Sequence, residues 1–225
     1  MNVLRIMRPP DYITLLNAAL GFCALLTAAG GELEISVLFI LLAAAADGLD
    51  GFLARKTGSG PLGPNLDSLA DLISFGAAPA FLVFVSSDQS PPAWAAGIIY
   101  LCCGALRLAR FNISVKDDQR FEGLPIPAAG IVLALSILLG RSEISLFLMP
   151  LLGLLMASSV PYPKIRDRRA AYLLGPAFIA TAYLLWQLSD IFYAAVPSMV
   201  IIMIYLVSPV ISCLQEGRWP PSRRV

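Results

Sequence analysis

Four aspartates interrupt an otherwise apolar stretch of the sequence, at positions Asp47, Asp50, Asp67 and Asp71. A carboxylate at the centre of a membrane helix costs roughly 2.5–3.5 kcal/mol, so four of them would cost on the order of 10 kcal/mol without compensation. Something cationic must therefore compensate them. Ligation by carboxylate oxygens favours Mg²⁺ or Mn²⁺, with Ca²⁺ also compatible, and two such ions would neutralise four negative charges. The aspartates are thus candidate ligands of a two-metal site.

The residues around these aspartates include small side chains and an arginine. Arg55 follows Gly51 by about one helical turn. Near the membrane surface, its guanidinium is placed to meet an anion that the metal ions hold. Gly51 and Ala54 leave room beside the backbone for a flat ring or a phosphate. Metal ligands, an arginine and small side chains together predict a site for a nucleotide that contains a pyrophosphate.

Other chemistries are excluded by what the sequence lacks. It contains no histidine, which rules out histidine acid–base chemistry, histidine-ligated metals and Ser-His-Asp catalysis. The four cysteines lie in apolar segments without CxxC spacing, and we interpret them as small hydrophobic residues. Any general base must therefore be a carboxylate or a less usual group.

Several alternatives to catalysis apply to the acidic residues. A single aspartate in a membrane is more often part of an ion path or a helix–helix hydrogen bond than a catalyst. Asp67 also suits a helix N-terminus, where the dipole favours a carboxylate by about 0.3–1 kcal/mol, but this explains Asp71 poorly. A cation transporter would need polar residues along a path across the membrane, whereas these acids cluster at one depth.

The composition indicates that the elements carrying these residues lie in a membrane. Of 225 residues, 58% are hydrophobic and 14% are charged, and the mean hydropathy is +0.77. These values lie outside the usual balance of a soluble domain. We therefore expect one integral membrane domain over residues 1–225, folded as an all-α bundle that crosses the membrane several times.

Apolar segments long enough to span a membrane occur eight times. A spanning helix needs about 20 mostly apolar residues. The predicted helices cover residues 11–30, 34–56, 66–87, 92–113, 124–140, 143–160, 170–188 and 190–213. Alternate threading of these helices places both termini on one side, together with the loops 56–66, 113–124 and 161–170.

The basic residues then orient the bundle. Fifteen of the sixteen lysines and arginines fall on the side of the termini, and only Arg141 lies opposite. The positive-inside rule makes that side cytoplasmic, so we predict a multi-pass plasma-membrane protein with both termini and the acidic site facing the cytoplasm. The basic segment 164–169 lies between two predicted spans, which favours anionic lipid over nucleic acid as its partner.

Helical spacing brings the four aspartates together. Asp47 and Asp50 are three residues apart near the end of the second helix, and Asp67 and Asp71 are four apart near the start of the third, so each pair shares a helix face. The connecting segment 56–65 contains three glycines and two prolines, which predicts a turn. The two helices would thus form an antiparallel hairpin on which the carboxylates converge.

These residues and their spacing resemble the signature of the CDP-alcohol phosphotransferase family. The shared pattern has eight fixed positions, namely Asp47, Asp50, Gly51, Ala54, Arg55, Gly63, Asp67 and Asp71. The resemblance implies a membrane helical bundle, usually dimeric, that transfers a substituted phosphate from a CDP-alcohol to a second alcohol and releases CMP. By position, it implies that Asp47, Asp50 and Asp67 are metal ligands. Asp71 would be both a ligand and the general base.

The same resemblance implies how the nucleotide binds. Gly51, Ala54 and Gly63 would pack against the cytidine, and Arg55 would lie near the phosphates. Asn17, in the first predicted helix, would contact the nucleotide, and Thr14 lies one turn earlier on the same face. An interhelical hydrogen bond is the alternative role for Asn17.

Sequence outside the signature points to the acceptor alcohol. Residues 66–80, 105–112 and 121–130 resemble the phosphatidylserine synthase branch of the family, which implies L-serine as acceptor and CDP-diacylglycerol or CDP-archaeol as donor. Glycerol 3-phosphate and inositol phosphate remain alternative acceptors. We assign residues 10–140 to the family core and residues 141–225 to additional membrane helices.

A serine pocket needs a cation for the carboxylate of the acceptor. Arg107 and Arg110 lie three residues apart at the cytoplasmic end of the fourth predicted helix, and Asn112 is nearby. These three residues are the candidate serine ligands. The alternative for each arginine is anchoring at the inner membrane surface through contact with lipid headgroups.

Overall fold

A computed structural model describes residues 6–58, 60–113 and 120–163. The described part of the chain is a helical bundle, as predicted. Its helices are α1 (Pro9–Ala29), α2 (Leu33–Thr57), α3 (Gly63–Asp71), a π-helical segment (Leu72–Ala77), α4 (Ala78–Ser86), α5 (Pro91–Ile113), α6 (Ile126–Ile137) and α7 (Ser142–Ala157). Two short strands accompany them, β1 (Arg120–Glu122) and β2 (Pro161–Pro163).

Four helical segments are long and apolar enough to cross a membrane, which identifies a membrane protein. They are Pro9–Ala29, Leu33–Thr57, Gly63–Ser86 and Pro91–Ile113. The predicted spans 124–140 and 143–160 correspond to the shorter helices α6 and α7, of 12 and 16 residues. The predicted spans 170–188 and 190–213, and the basic segment 164–169, lie outside the described residues.

The turn between α2 and α3 is shorter than predicted. α2 continues through Lys56 and Thr57, and α3 already begins at Gly63. Proline suits the first turn of a helix because its missing N–H would have no partner there, and α3 has Pro64 at that place. Gly58 ends α2 with a φ of +82°, a conformation that glycine adopts at little cost. Helix α3 therefore begins only six residues after the last residue of α2.

The core of the bundle lies around α6. Nine of its twelve residues are buried, as expected for a helix that is apolar on all sides. Large side chains from neighbouring helices pack there, including Phe75, Tyr100 and Met149. By contrast, Phe22 on α1 and Trp94 on α5 remain more than half exposed, which suits helix faces in contact with lipid.

The third span is not a regular α-helix, although the sequence predicts one helix over residues 66–87. Between α3 and α4, the chain forms the π-helical segment Leu72–Ala77. The N–H of Ala78 donates there to the carbonyl of Ile73, five residues earlier. Regular apolar periodicity does not distinguish a single π-turn from an α-turn, so the sequence pattern gave no sign of it.

One small departure from the all-α prediction is a pair of short strands that joins two segments between or after helices. Strands β1 and β2 pair antiparallel, with Phe121 opposite Tyr162, and the N–H of Gly123 donates to the carbonyl of Val160 at 2.8 Å. The connection between α5 and α6 therefore lies beside the chain that leaves α7.

Candidate active site

Three of the predicted metal ligands converge between α2 and α3. Carboxylate oxygens of Asp47, Asp67 and Asp71 all lie within 4.8 Å of one another. Asp71 is buried, whereas Asp47 and Asp67 are half-buried. Both helices pack against α1, so their acidic faces meet beside that helix. The predicted convergence is thus present for three of the four aspartates.

Asp50 lies beside this group and is bound by α1. Its Oδ2 accepts a hydrogen bond of 2.7 Å from the hydroxyl of Thr14, and only 5% of the residue is exposed. Thr14 also donates to the carbonyl of Pro10, one turn earlier. Asp50 is outside the group of three whose oxygens lie within 4.8 Å. A buried carboxylate therefore has a fixed orientation at the edge of the cluster.

Asn17 contacts the cluster from the same face of α1. Its Nδ2 lies 3.5 Å from Oδ1 of Asp71, at the limit of a hydrogen bond. Its Oδ1 is buried and has no hydrogen-bond partner among the described residues. A buried acceptor without a partner costs about 1–3 kcal/mol. Asn17 is thus an unsatisfied acceptor beside the acidic cluster, as expected where a bound molecule completes the site.

Arg107 supplies positive charge to the cluster from α5. The residue is 7% exposed, and its guanidinium interacts electrostatically with Asp47, Asp67 and Asp71. It also lies 5.5 Å from the centre of the Phe111 ring. The compensating cation that four intramembrane aspartates require is therefore supplied in part by the protein. One guanidinium carries one positive charge, so it cannot by itself balance three ionised carboxylates.

Three of the predicted nucleotide residues, Gly51, Ala54 and Arg55, lie in the last turns of α2. Gly51 and Ala54 are half-buried, and Arg55 is exposed. The guanidinium of Arg55 folds back towards Gly51, because a Cβ added at Gly51 would lie 3.5 Å from Arg55 Nη1. Gly63 is the first residue of α3. The four residues thus flank the turn between α2 and α3, and their contact with a nucleotide stays a prediction.

The structure adds a residue pair that sequence reasoning missed. The backbone N–H of Arg8 donates to Asp11 Oδ2 at 2.7 Å, and the N–H of Asp11 donates to the Arg8 carbonyl at 2.9 Å. Asp11 is fully buried, and a Cβ added at Gly60 would lie 3.3 Å from the same carboxylate oxygen. The start of α1 therefore packs against the turn between α2 and α3. The signal in the sequence was an acid in the first helical turn after Pro9 and Pro10, a usual helix start.

The three candidate serine ligands occupy different surroundings. Arg107 faces the acidic cluster, whereas Arg110 donates to the carbonyls of Met156, Ala157 and Ser158 at 3.0–3.3 Å. These carbonyls lie at the end of α7, where a cation is favourable. Asn112 exchanges hydrogen bonds of 3.0 and 3.2 Å with Ser68. Serine binding by these residues stays a prediction, and the contacts of Arg110 also give it a role in the fold.

Asn112 and Ser68 lie at the rim of a groove. A cavity of about 280 Å³ opens there between α3 and α5. Its lining residues are Asn65, Ser68, Leu69, Leu72, Ala105, Leu108, Ala109 and Asn112. The lining is mainly apolar with polar groups at one end, and it runs along the helix that carries Asp67 and Asp71.

The donor set suits a hard divalent cation. Three carboxylates present oxygen donors at short range, whereas zinc and copper sites normally use histidine or cysteine. The sequence has no histidine, and the three described cysteines, Cys23, Cys102 and Cys103, are absent from the cluster. The residues therefore fit magnesium, manganese or calcium. A bound cation and an arginine in one cleft would attract a phosphate-bearing substrate.

Comparison with known proteins places this arrangement in a family. The sequence model of the CDP-alcohol phosphatidyltransferase family matches residues 7–161. That range contains the eight positions of the acidic signature and α1 to α7.

Curated relatives extend over most of the chain. It is 40% identical over 162 residues to archaetidylserine synthase of Methanothermobacter thermautotrophicus, covering 69% of this chain and 70% of the relative. It is 39% identical over 174 residues to CDP-diacylglycerol–serine O-phosphatidyltransferase of Methanocaldococcus jannaschii, covering 76% and 82%. The enzyme of the same name from Helicobacter pylori is 35% identical over 172 residues, covering 70% and 72%.

Proposed function

Because this chain belongs to the CDP-alcohol phosphatidyltransferase family, we propose that it transfers the lipid phosphate of CDP-diacylglycerol or CDP-archaeol to L-serine. The products are CMP and phosphatidylserine or its archaeal analogue. The names of the relatives support both the donor and the acceptor. The observation that carries the proposal is the cluster of three carboxylates, with oxygens within 4.8 Å, inside a family signature.

Asp47, Asp50, Asp67 and Asp71 would hold two divalent cations, Mg²⁺ or Mn²⁺, with Ca²⁺ compatible. When bound, such ions polarise the pyrophosphate and stabilise the charge that develops on the leaving CMP. The clustered oxygens, the partial burial and the single balancing guanidinium of Arg107 support this assignment.

Asp71 acts as the general base in this proposal. The serine oxygen forms a bond to the phosphorus that carries the lipid, the bond from that phosphorus to the CMP oxygen breaks, and the serine proton passes to the carboxylate of Asp71. Asn17 supports the role of Asp71 through its Nδ2, 3.5 Å from Oδ1. The Thr14 hydroxyl donates to Asp50 and holds the Asp50 carboxylate at the edge of the cluster.

Positive charge and small residues would bind the substrates around this centre. Arg55 would contact the phosphates while Gly51, Ala54 and Gly63 pack against the cytidine. Arg107 would bind the serine carboxylate, supported by its location on the cluster side of α5. Arg110 and Asn112 would contact the serine from the outer side of the same pocket.

The proposal also includes an arrangement in the plasma membrane. Eight spans would place both termini and the active site on the cytoplasmic side, with residues 10–140 as the core and residues 141–225 as additional helices of one domain. Two copies would form a homodimer. The distribution of basic residues in the sequence supports this orientation.

The decisive experiment measures CMP release by the purified protein. We expect turnover with CDP-diacylglycerol or CDP-archaeol and serine, loss of turnover on treatment with EDTA, and recovery when Mg²⁺ or Mn²⁺ is restored. Equal turnover with serine, glycerol 3-phosphate and inositol phosphate would remove the serine assignment. Metal uptake into liposomes without CMP formation from any CDP-lipid would instead favour a cation transporter.

A further inference from the structure

The helix that carries Asp71 changes its geometry directly after this residue. α3 ends at Asp71, and the π-helical segment Leu72–Ala77 follows without a break. A π-turn contains one residue more than an α-turn and occurs frequently at functional sites. The position of Asp71 relative to the rest of the span therefore depends on how this segment is held.

Helix α1 contacts one side of the π-helical segment. The Ser74 hydroxyl donates to the backbone carbonyl of Asn17 at 2.9 Å. One turn later, Gly21 allows close approach, because a Cβ at this position would lie 2.7 Å from Ser74 Cα. Such a separation is far below ordinary van der Waals contact. No residue larger than glycine fits there without movement of the π-helical segment.

Helices α5 and α6 contact the next residue of the segment. The hydroxyl of Tyr100 donates to the Phe75 carbonyl at 2.9 Å, and the whole tyrosine is buried. Gly130 lies against the same residue, because a Cβ there would be 2.8 Å from Phe75 Cα. Phe75 is thus held by a hydrogen bond from α5 and by close backbone packing from α6. Neither helix carries residues of the acidic signature.

We propose that Tyr100 and Gly130 are positioning residues that hold the π-helical segment and thereby keep the Asp71 carboxylate beside those of Asp47 and Asp67. Loss of either contact lets the segment shift or return towards α-helical geometry, which moves Asp71 away from the cluster. The inference rests on the proposed function, since Asp71 there is both a cation ligand and the base. It adds two residues that neither the signature nor the acidic cluster contains.

Substitution of Tyr100 by phenylalanine tests the polar contact. Tyr100→Phe keeps the ring and removes the hydroxyl that bonds to Phe75. We expect kcat to fall about tenfold, with the KM for serine and for CDP-lipid within about twofold of wild type, since small misplacement of a reacting group lowers rate strongly. Calorimetric titration with Mn²⁺ alone should show affinity weakened by about threefold or more, because a displaced Asp71 carboxylate is a poorer ligand.

A matched control separates positioning from general stability. Ser136→Ala removes another buried hydrogen bond, the 2.7 Å contact between Ser136 and Ser145 that joins α6 to α7. It should lower Tm to a similar extent as Tyr100→Phe while leaving kcat and Mn²⁺ affinity at wild-type values. If it lowers kcat and Mn²⁺ affinity as much as Tyr100→Phe, the positioning role is wrong.

Substitution of Gly130 tests the close approach independently. Gly130→Ala should displace Phe75 and reduce both kcat and Mn²⁺ affinity, whereas Gly97→Ala on α5 should change neither, since a Cβ there meets nothing within 4 Å. Wild-type kcat and Mn²⁺ affinity in both Tyr100→Phe and Gly130→Ala would overturn the inference. Weakened Mn²⁺ binding in these variants of a protein that forms no CMP would support positioning while refuting the proposed function.

Discussion

Each aspartate of the cluster has a distinct set of neighbours, although the four are chemically the same. Asp50 accepts from Thr14, and Asp71 lies within reach of Asn17. Asp47 and Asp67 are more accessible than Asp71. A buried carboxylate next to an amide differs in its chemistry from an accessible one beside an arginine. The four side chains thus differ in accessibility and in hydrogen bonding, which supports the distinct roles proposed for them.

Replacement of Asp71 by asparagine tests its role as base. Asp71→Asn keeps the size of the side chain and removes the proton acceptor. We expect CMP release to fall by at least about 10²-fold, as is typical when a general base is lost, while binding of CDP-lipid remains measurable by calorimetry. Asp88→Asn, at an exposed position between α4 and α5, is the matched control. Substantial turnover in Asp71→Asn would refute the role of Asp71 as base.

The hydroxyl of Thr14 allows a second test. Thr14→Val preserves shape but leaves the buried Asp50 without its 2.7 Å donor. A hydrogen bond to a charged group contributes about 1.5–3 kcal/mol, so we expect kcat/KM for CDP-lipid to fall by about tenfold or more. Thr14→Ser restores the donor and should recover most of the activity in the same assay. Equal activity in the valine and serine variants would show that this contact has no catalytic consequence.

Packing between helices decides which of these residues meet. The sequence predicted that the aspartates of α2 and α3 share faces and converge, because helical spacing and the glycine- and proline-rich turn are local features. It did not predict the contacts of Asp11 with the turn or of Tyr100 with Phe75. These contacts join residues that lie far apart in the chain, and their pairing depends on how α1, α5 and α6 pack.

The contact between α1 and the turn can be tested by proteolysis. Asp11→Ala removes the carboxylate that accepts from Arg8 and packs beside Gly60. We expect the turn to open more often, so that trypsin cleaves after Lys56 several times faster than in wild type, because cleavage follows the population of locally opened states. Cleavage at the wild-type rate would contradict a role for Asp11 in holding the turn.

The contacts of Arg110 with the C-terminal end of α7 can be tested by their effect on stability. It donates to three carbonyls at the end of α7, so Arg110→Met should lower the unfolding free energy by about 1–3 kcal/mol. The loss is measured as the shift of the denaturation midpoint in detergent. An unchanged midpoint together with a raised KM for serine would instead assign Arg110 to the acceptor pocket.

At the scale of the whole molecule, composition was a sound guide to the class of fold. Apolar segments of sufficient length predicted the four long spans, and six predicted helices match described ones. Length alone was less informative for α6 and α7, because a short apolar segment can be a buried helix as well as a membrane span. The π-helical segment and the β1–β2 pair depend on tertiary contacts, which hydropathy does not report.

The proposed orientation can be tested by labelling from outside the cell. In a variant without native cysteines, a cysteine introduced by Asp88→Cys should react with a maleimide that does not cross membranes. A cysteine introduced by Lys56→Cys should react only after the membrane is permeabilised, because the distribution of basic residues predicts that the turn lies inside. The reverse pattern of labelling would invert the proposed topology.

The depth of the acidic cluster has a consequence for how two unlike substrates meet. Asp47 lies ten residues before the end of α2, which corresponds to about 15 Å along the helix. A zwitterion dissolved in water and a lipid confined to a bilayer normally occupy separate phases. The acidic cluster thus lies well inside the span, and both substrates of the proposed reaction must reach this level of the bundle.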